Sequence, residues 1–155
     1  MRRVTSVLLA TAASIGAPTV GGAQSAADSA SVTAFYGDWF GSLRRGPEAY
    51  ASFYARDGMV LPPNAPAAVG RAAIAEWLRQ TQTASPFTAR PTGITVDEMR
   101  FLAPTWVVHR TTLRGQRVPK AGGDPVPFET KYVDLLHRTG AGNWEVAYRM
   151  WSDNR

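Results

Sequence analysis

The 155-residue chain reads as one α+β domain behind a short leader. Up to Leu78 its apolar residues recur at helical spacing, whereas from Pro91 onward β-branched and aromatic runs alternate with turn residues. Helices first and closely linked strands afterwards place the helices on one face of a mostly antiparallel sheet. Once the leader is set aside, about 130 residues remain, enough for one domain that buries roughly two-thirds of its unfolded surface.

The leader comes first. Arg2-Arg3, the apolar run from Val4 to Ala17, and then Pro18 and Gly21-Gly22-Ala23 have the order of a secretory signal peptide. The apolar run is too short to cross a bilayer, which takes roughly 20 residues. Cleavage is expected after Ala23, giving a secreted or periplasmic protein with no membrane attachment. Residues 24–31 are rich in Ala and Ser and read as a flexible N-terminus, so the domain proper spans 32–155.

Val32, Phe35, Tyr36, Trp39, Phe40 and Leu43 form a wide apolar stripe on a first helix. Ser29 or Ser31 is its expected cap and Gly46 its stop. Pro47 and Glu48 suit the first turn of a second, short helix carrying Tyr50, Phe53 and Tyr54. Asp57-Gly58 reads as a turn, Met59-Val60-Leu61 as a short strand, and Pro62-Pro63 as its end. Gly70 opens a third helix with Ile74, Trp77 and Leu78 on one side. Strands are expected near 92–102, 105–114, 126–138 and 143–152, with Thr139-Gly140-Ala141-Gly142-Asn143 as a hairpin.

Composition removes several functions. The chain has no Cys, so it has no disulfide framework, thiolate nucleophile or zinc-thiolate site. Its formal charge of +5 loses two with the leader, and Arg44-Arg45 is the only adjacent basic pair left. That pair closes a helix, where cations suit the dipole, and is no nucleic-acid stripe. No Gly-rich phosphate loop or nucleophile elbow occurs. His109 and His137 have no carboxylate at ligand spacing, so neither a metal nor a cofactor is expected.

Several strings resemble the nuclear transport factor 2-like superfamily, within it the SnoaL-like and ketosteroid-isomerase-like proteins. They are Phe53-Tyr54-Ala55-Arg56-Asp57-Gly58-Met59-Val60-Leu61-Pro62-Pro63, Gly70-Arg71-Ala72-Ala73-Ile74 with Trp77, Lys131-Tyr132-Val133-Asp134-Leu135-Leu136, and Asn143-Trp144-Glu145-Val146 finishing on Trp151-Ser152-Asp153. The resemblance covers about residues 32–153. It implies a cone-shaped half-barrel around one pocket, often in a homodimer. It also implies a general base after the first strand, but Pro62 occupies that position and carries no proton-transferring group.

The residues themselves leave three readings. The first is an exported pocket protein for a small, largely apolar ligand, bound by Tyr36, Trp39, Tyr54, Met59, Leu61, Trp106, Tyr148 and Trp151. Trp77 and Trp144 read as core instead. The second is a cyclase, isomerase or dehydratase using His109 with Asp153 or a tyrosine. The third is a dimerising association module. Strict alternation sets Trp144, Val146, Tyr148 and Met150 of the last strand against Glu145, Ala147, Arg149 and Trp151.

Overall fold

In a computed structural model, which describes residues 25–154, the chain opens with helix α1, Ala26–Ser42. Its cap is Ser25 rather than Ser29 or Ser31: the Ser25 side chain accepts a hydrogen bond from the Asp28 backbone N–H. Ser31 is instead inside the helix, where its hydroxyl bonds to the Asp28 carbonyl and accepts from Trp144 Nε1 at 2.9 Å. The expected leader lies outside the described residues.

The helix tightens into a 3₁₀ turn over Leu43–Arg45 and stops at Gly46, whose φ of +107° suits only glycine. Helix α2, Pro47–Ala51, follows with proline in its first turn. Tyr54 is not on that helix. It begins strand β1, Tyr54–Leu61, which absorbs Asp57-Gly58 as an irregularity rather than a turn. Gly58 is obligatory there, since a Cβ would lie 2.7 Å from the Val146 carbonyl oxygen of the neighbouring strand. A two-residue strand, β2 (Ala68–Val69), precedes helix α3, Arg71–Ala84.

Four long strands complete the chain: β3 Phe87–Ala103, β4 Trp106–Pro119, β5 Val126–Arg138 and β6 Trp144–Asn154. The sheet order is β2-β1-β6-β5-β4-β3, antiparallel throughout except for β1 beside β6. The sheet curves around the helices without closing. Residues Val32, Trp39, Tyr54, Val60, Ile74, Val107, Leu136 and Val146 form the dry centre between the two layers.

β3 begins five residues earlier than its sequence pattern suggests, and β4 ends five residues later. Together with the start of β5 they project as an arm past the helices. β6 also departs from strict alternation. Leu135 pairs with Tyr148 but Leu136 with Val146, so Ala147 is an extra residue in the ladder. This bulge keeps Trp144 and Val146 on the helix side but turns Tyr148 and Met150 outward, and brings Arg149 and Trp151 inside.

Candidate functional site

Partners in an antiparallel ladder share a face, so register defines the lining of the cone. Three rows cross β4, β5 and β6 on the helix side. The first is His109–Asp134–Arg149, the second Thr111–Tyr132–Trp151 and the third Leu113–Thr130–Asp153. Exposure rises from row to row along β6, while Thr111 and Thr130 stay buried. His109, Asp134 and Arg149 are 2%, 0% and 3% exposed, Tyr132 and Trp151 are half-buried, and Asp153 is exposed. The cone is therefore closed at the first row and opens toward the arm.

The closed end is charged. Arg149 Nε lies 3.7 Å from Asp134 Oδ1, and the guanidinium is enclosed by the rings of Tyr132 at 4.1 Å, Trp39 at 4.6 Å and Phe40 at 5.1 Å. Such stacking on a desolvated cation is worth about 2 kcal/mol or more. Burial works against the charge of Arg149, yet Asp134, Tyr50, Tyr54 and Tyr132 hold its pKa above the ordinary arginine value. A guanidinium cannot shed its proton, so the buried cation requires Asp134 as its anion. Burial pushes the Asp134 carboxyl up, opposed by Arg149 and by the Tyr36 hydroxyl, which donates to Oδ2 at 2.9 Å.

Tyr36 also stacks on His109 with ring centres 4.0 Å apart. Burial, and then the charge of Arg149, depress the imidazole pKa to about 4, so His109 is neutral at physiological pH. Tyr50 and Tyr54 share a buried hydroxyl contact of 3.0 Å, and burial raises both phenols. A neutral imidazole beside a phenol and a carboxylate can exchange a proton, and the guanidinium can neutralise negative charge on an oxygen.

Of the residues singled out in the sequence, Tyr36, Trp39, Tyr54 and His109 meet inside the cone, and Trp151 shares their face one row away, against Trp77 and Tyr132. Asp153 shares their face but lies two rows from His109, where it accepts from Thr130 at 2.5 Å and from Arg117 at 3.0 Å. The carboxylate opposite His109 is Asp134. Met59, Leu61, Trp106 and Tyr148 lie on the outer face of the sheet: Met59 and Leu61 flank the buried Val60, Trp106 stacks on His137, and the bulge exposes Tyr148. Asp134 and Arg149 were the signals missed. Each is a lone charge inside an apolar run, Val133-Asp134-Leu135-Leu136 and Tyr148-Arg149-Met150-Trp151. Among the described residues, no group of three His, Asp or Glu is placed to hold a metal, and no helix is long and apolar enough to cross a membrane.

The arrangement has known counterparts in fold. The ketosteroid isomerase-like protein of Erwinia carotovora atroseptica is similar over 81% of this chain and 95% of its own, with a TM-score of 0.71 and 23% identity. ActVI-ORFA of Streptomyces coelicolor matches with a TM-score of 0.65 and 21% identity, over 81% and 97% of the two chains. A putative calcium/calmodulin-dependent protein kinase II association domain of Xanthomonas campestris matches with a TM-score of 0.62 and 20% identity, over 84% and 89%. The fold is thus the nuclear transport factor 2-like one, shared by proteins whose names point to different roles. No protein-family model matches the chain. No curated protein sequence matches it either.

Proposed function

We propose that this chain is an exported single-domain protein that binds a small, largely apolar molecule at the open mouth of its cone. One observation carries the reading. On the concave side of the arm, Phe87, Ile94, Val96 and Val126 are 36%, 51%, 55% and 51% exposed, and they pair across the ladder with Pro119, Leu113, Thr111 and Arg117. Phe128 lies over Gly115 beside them, where a Cβ would come within 2.8 Å of its ring. This apolar wall runs directly into the half-buried Tyr132 and Trp151, so a ligand there has apolar sides and a polar floor. Its rim is polar too, through the Arg117–Asp153 ion pair.

A neutral fluorescent probe, N-phenyl-1-naphthylamine, tests this reading. It should bind one site per chain, and Val96→Asp should weaken it at least ~10-fold, the effect of one lost apolar contact. Met150→Ser, on the outer face, should leave affinity unchanged. Equal losses in the two variants, or no binding by the wild type, would overturn the mouth as the site.

The same sheet supports a second association. Val133, Tyr148 and Met150 are exposed apolar residues on its outer face, and a groove of about 530 Å³ runs there past Arg110 and Lys131. A homodimer through this face is part of the proposal. It leaves the concave mouth free.

A further inference from the structure

The cone holds buried polar atoms with no hydrogen-bond partner among the described residues, Asp134 Oδ1 being met only by the 3.7 Å ion pair with Arg149. Trp39 Nε1, Arg149 NH1, Asp134 Oδ1, His109 Nδ1 and Thr111 Oγ1 make no hydrogen bond among the described residues, and each belongs to a side chain at most 3% exposed. An unsatisfied buried donor or acceptor is costly, and a closed protein interior rarely carries several together. These atoms are not scattered. Arg149 touches Trp39 and Asp134, His109 and Asp134 are ladder partners, and Thr111 follows His109 on the same face of β4.

Their chemistry specifies what would satisfy them. Trp39 Nε1 and Arg149 NH1 are donors only, Asp134 Oδ1 is an acceptor only, and His109 and Thr111 complete either kind of bond. The charges of Arg149 and Asp134 cancel, so a further anion would leave net negative charge buried, while a neutral carbonyl oxygen would not. The neutral state of His109 keeps that balance. We propose that this row is a recognition site for the head group of a neutral hydroxy-carbonyl compound, whose carbonyl oxygen accepts from Trp39 and Arg149 and whose hydroxyl donates to Asp134. The inference rests on the mouth reading above, since the apolar remainder of the ligand would lie on Ile94 and Val96.

Tyr132 is what closes the site. Its ring covers Arg149 on the mouth side, and its hydroxyl makes no hydrogen bond among the described residues. The inference requires this one side chain to swing aside, which would join the mouth to the row.

Five probes with one phenyl ring separate the possibilities: ethylbenzene, acetophenone, benzyl alcohol, benzoate and 2-hydroxy-1-phenylethanone. Each is titrated into isotope-labelled protein while the Trp39 indole N–H resonance is followed. The hydroxy ketone should bind at least ~10-fold tighter than ethylbenzene, because it makes bonds to charged partners. It should also move the Trp39 resonance. Trp39→Phe keeps an aromatic ring, though a smaller one, and removes the donor, so it should erase the preference for acetophenone over ethylbenzene while ethylbenzene still binds. Equal affinities with a stationary indole resonance would mean that internal water alone occupies the row, overturning this inference but not the mouth. Preference for benzoate would overturn the neutral class. No binding by any probe would remove both this inference and the reading beneath it.

Discussion

His109 is the group whose burial has the most direct consequence in solution. In the folded chain its pKa is depressed to about 4 from an ordinary 6.5. Between those values the unfolded state binds the proton and the folded state does not. Stability from this residue is therefore complete above about pH 6.5 and is lost as pH falls toward 4, by about 3 kcal/mol in all. Asp134, whose carboxyl is raised, acts in the opposite sense, since its folded form takes a proton before the unfolded one does. Comparing the wild type with His109→Phe isolates the histidine. Urea midpoints at pH 7.5, 5.5 and 4.5 should converge toward acid, with the variant losing less. Parallel curves would show that the imidazole titrates as in the unfolded chain. The histidine itself was legible, because strand alternation brackets it with Val107 and Thr111. Its partners were not. Which acid faces a strand residue depends on register, and although Gly122-Gly123 marks the turn between β4 and β5, a six-residue connection from Lys120 to Pro125 leaves open which residues of the two strands stand opposite each other.

The bulge at Ala147 shows the same limit in one strand. Trp144 to Trp151 alternates cleanly when read as text, and the helices, the 139–143 hairpin and the existence of four long strands all follow from such spacing. One extra residue in the ladder, however, reverses every side chain after it, bringing Arg149 to Asp134 and leaving Tyr148 exposed. Nothing local marks Ala147; beside it the parallel neighbour β1 is also irregular, between Tyr54 and Met59. The arm was foreshortened for a related reason, since Thr88 to Pro91 and Gln116 to Pro119 lack an apolar alternation to extend. Its geometry depends on Gly115. A Cβ there would sit 2.4 Å from the Arg90 carbonyl oxygen and 2.8 Å from the Phe128 ring, a clash against backbone that no rotamer relieves. Gly115→Ala should therefore cost about 1–3 kcal/mol by forcing strands β3 and β5 apart. It should also weaken the naphthylamine probe at the mouth. Calorimetric melting checks the first effect, and a melting temperature unchanged from wild type would mean that the arm yields freely.

The described residues present one sheet with two chemically different faces, and their helices cover only one of them. With no cysteine to staple it, a domain of this size relies on packing alone. A second copy on the outer face would remove Val133, Tyr148 and Met150 from water, and at about 800 Å² per partner such an interface would span most of β4 to β6. Arg110 and Lys131 lie on that face as well, so the contact must either pair them or leave them at its rim. Native mass spectrometry of protein from the exported fraction reads both parts of the expectation. The mass should begin at Gln24, and the species should be a dimer at micromolar concentration. Met150→Asp places a charge in the centre of the proposed contact and should yield a monomer that keeps the wild-type circular dichroism spectrum. A full-length mass would contradict the leader. A wild-type monomer would leave the outer groove without its proposed occupant, whereas the concave mouth, built within one chain, would still bind the naphthylamine probe.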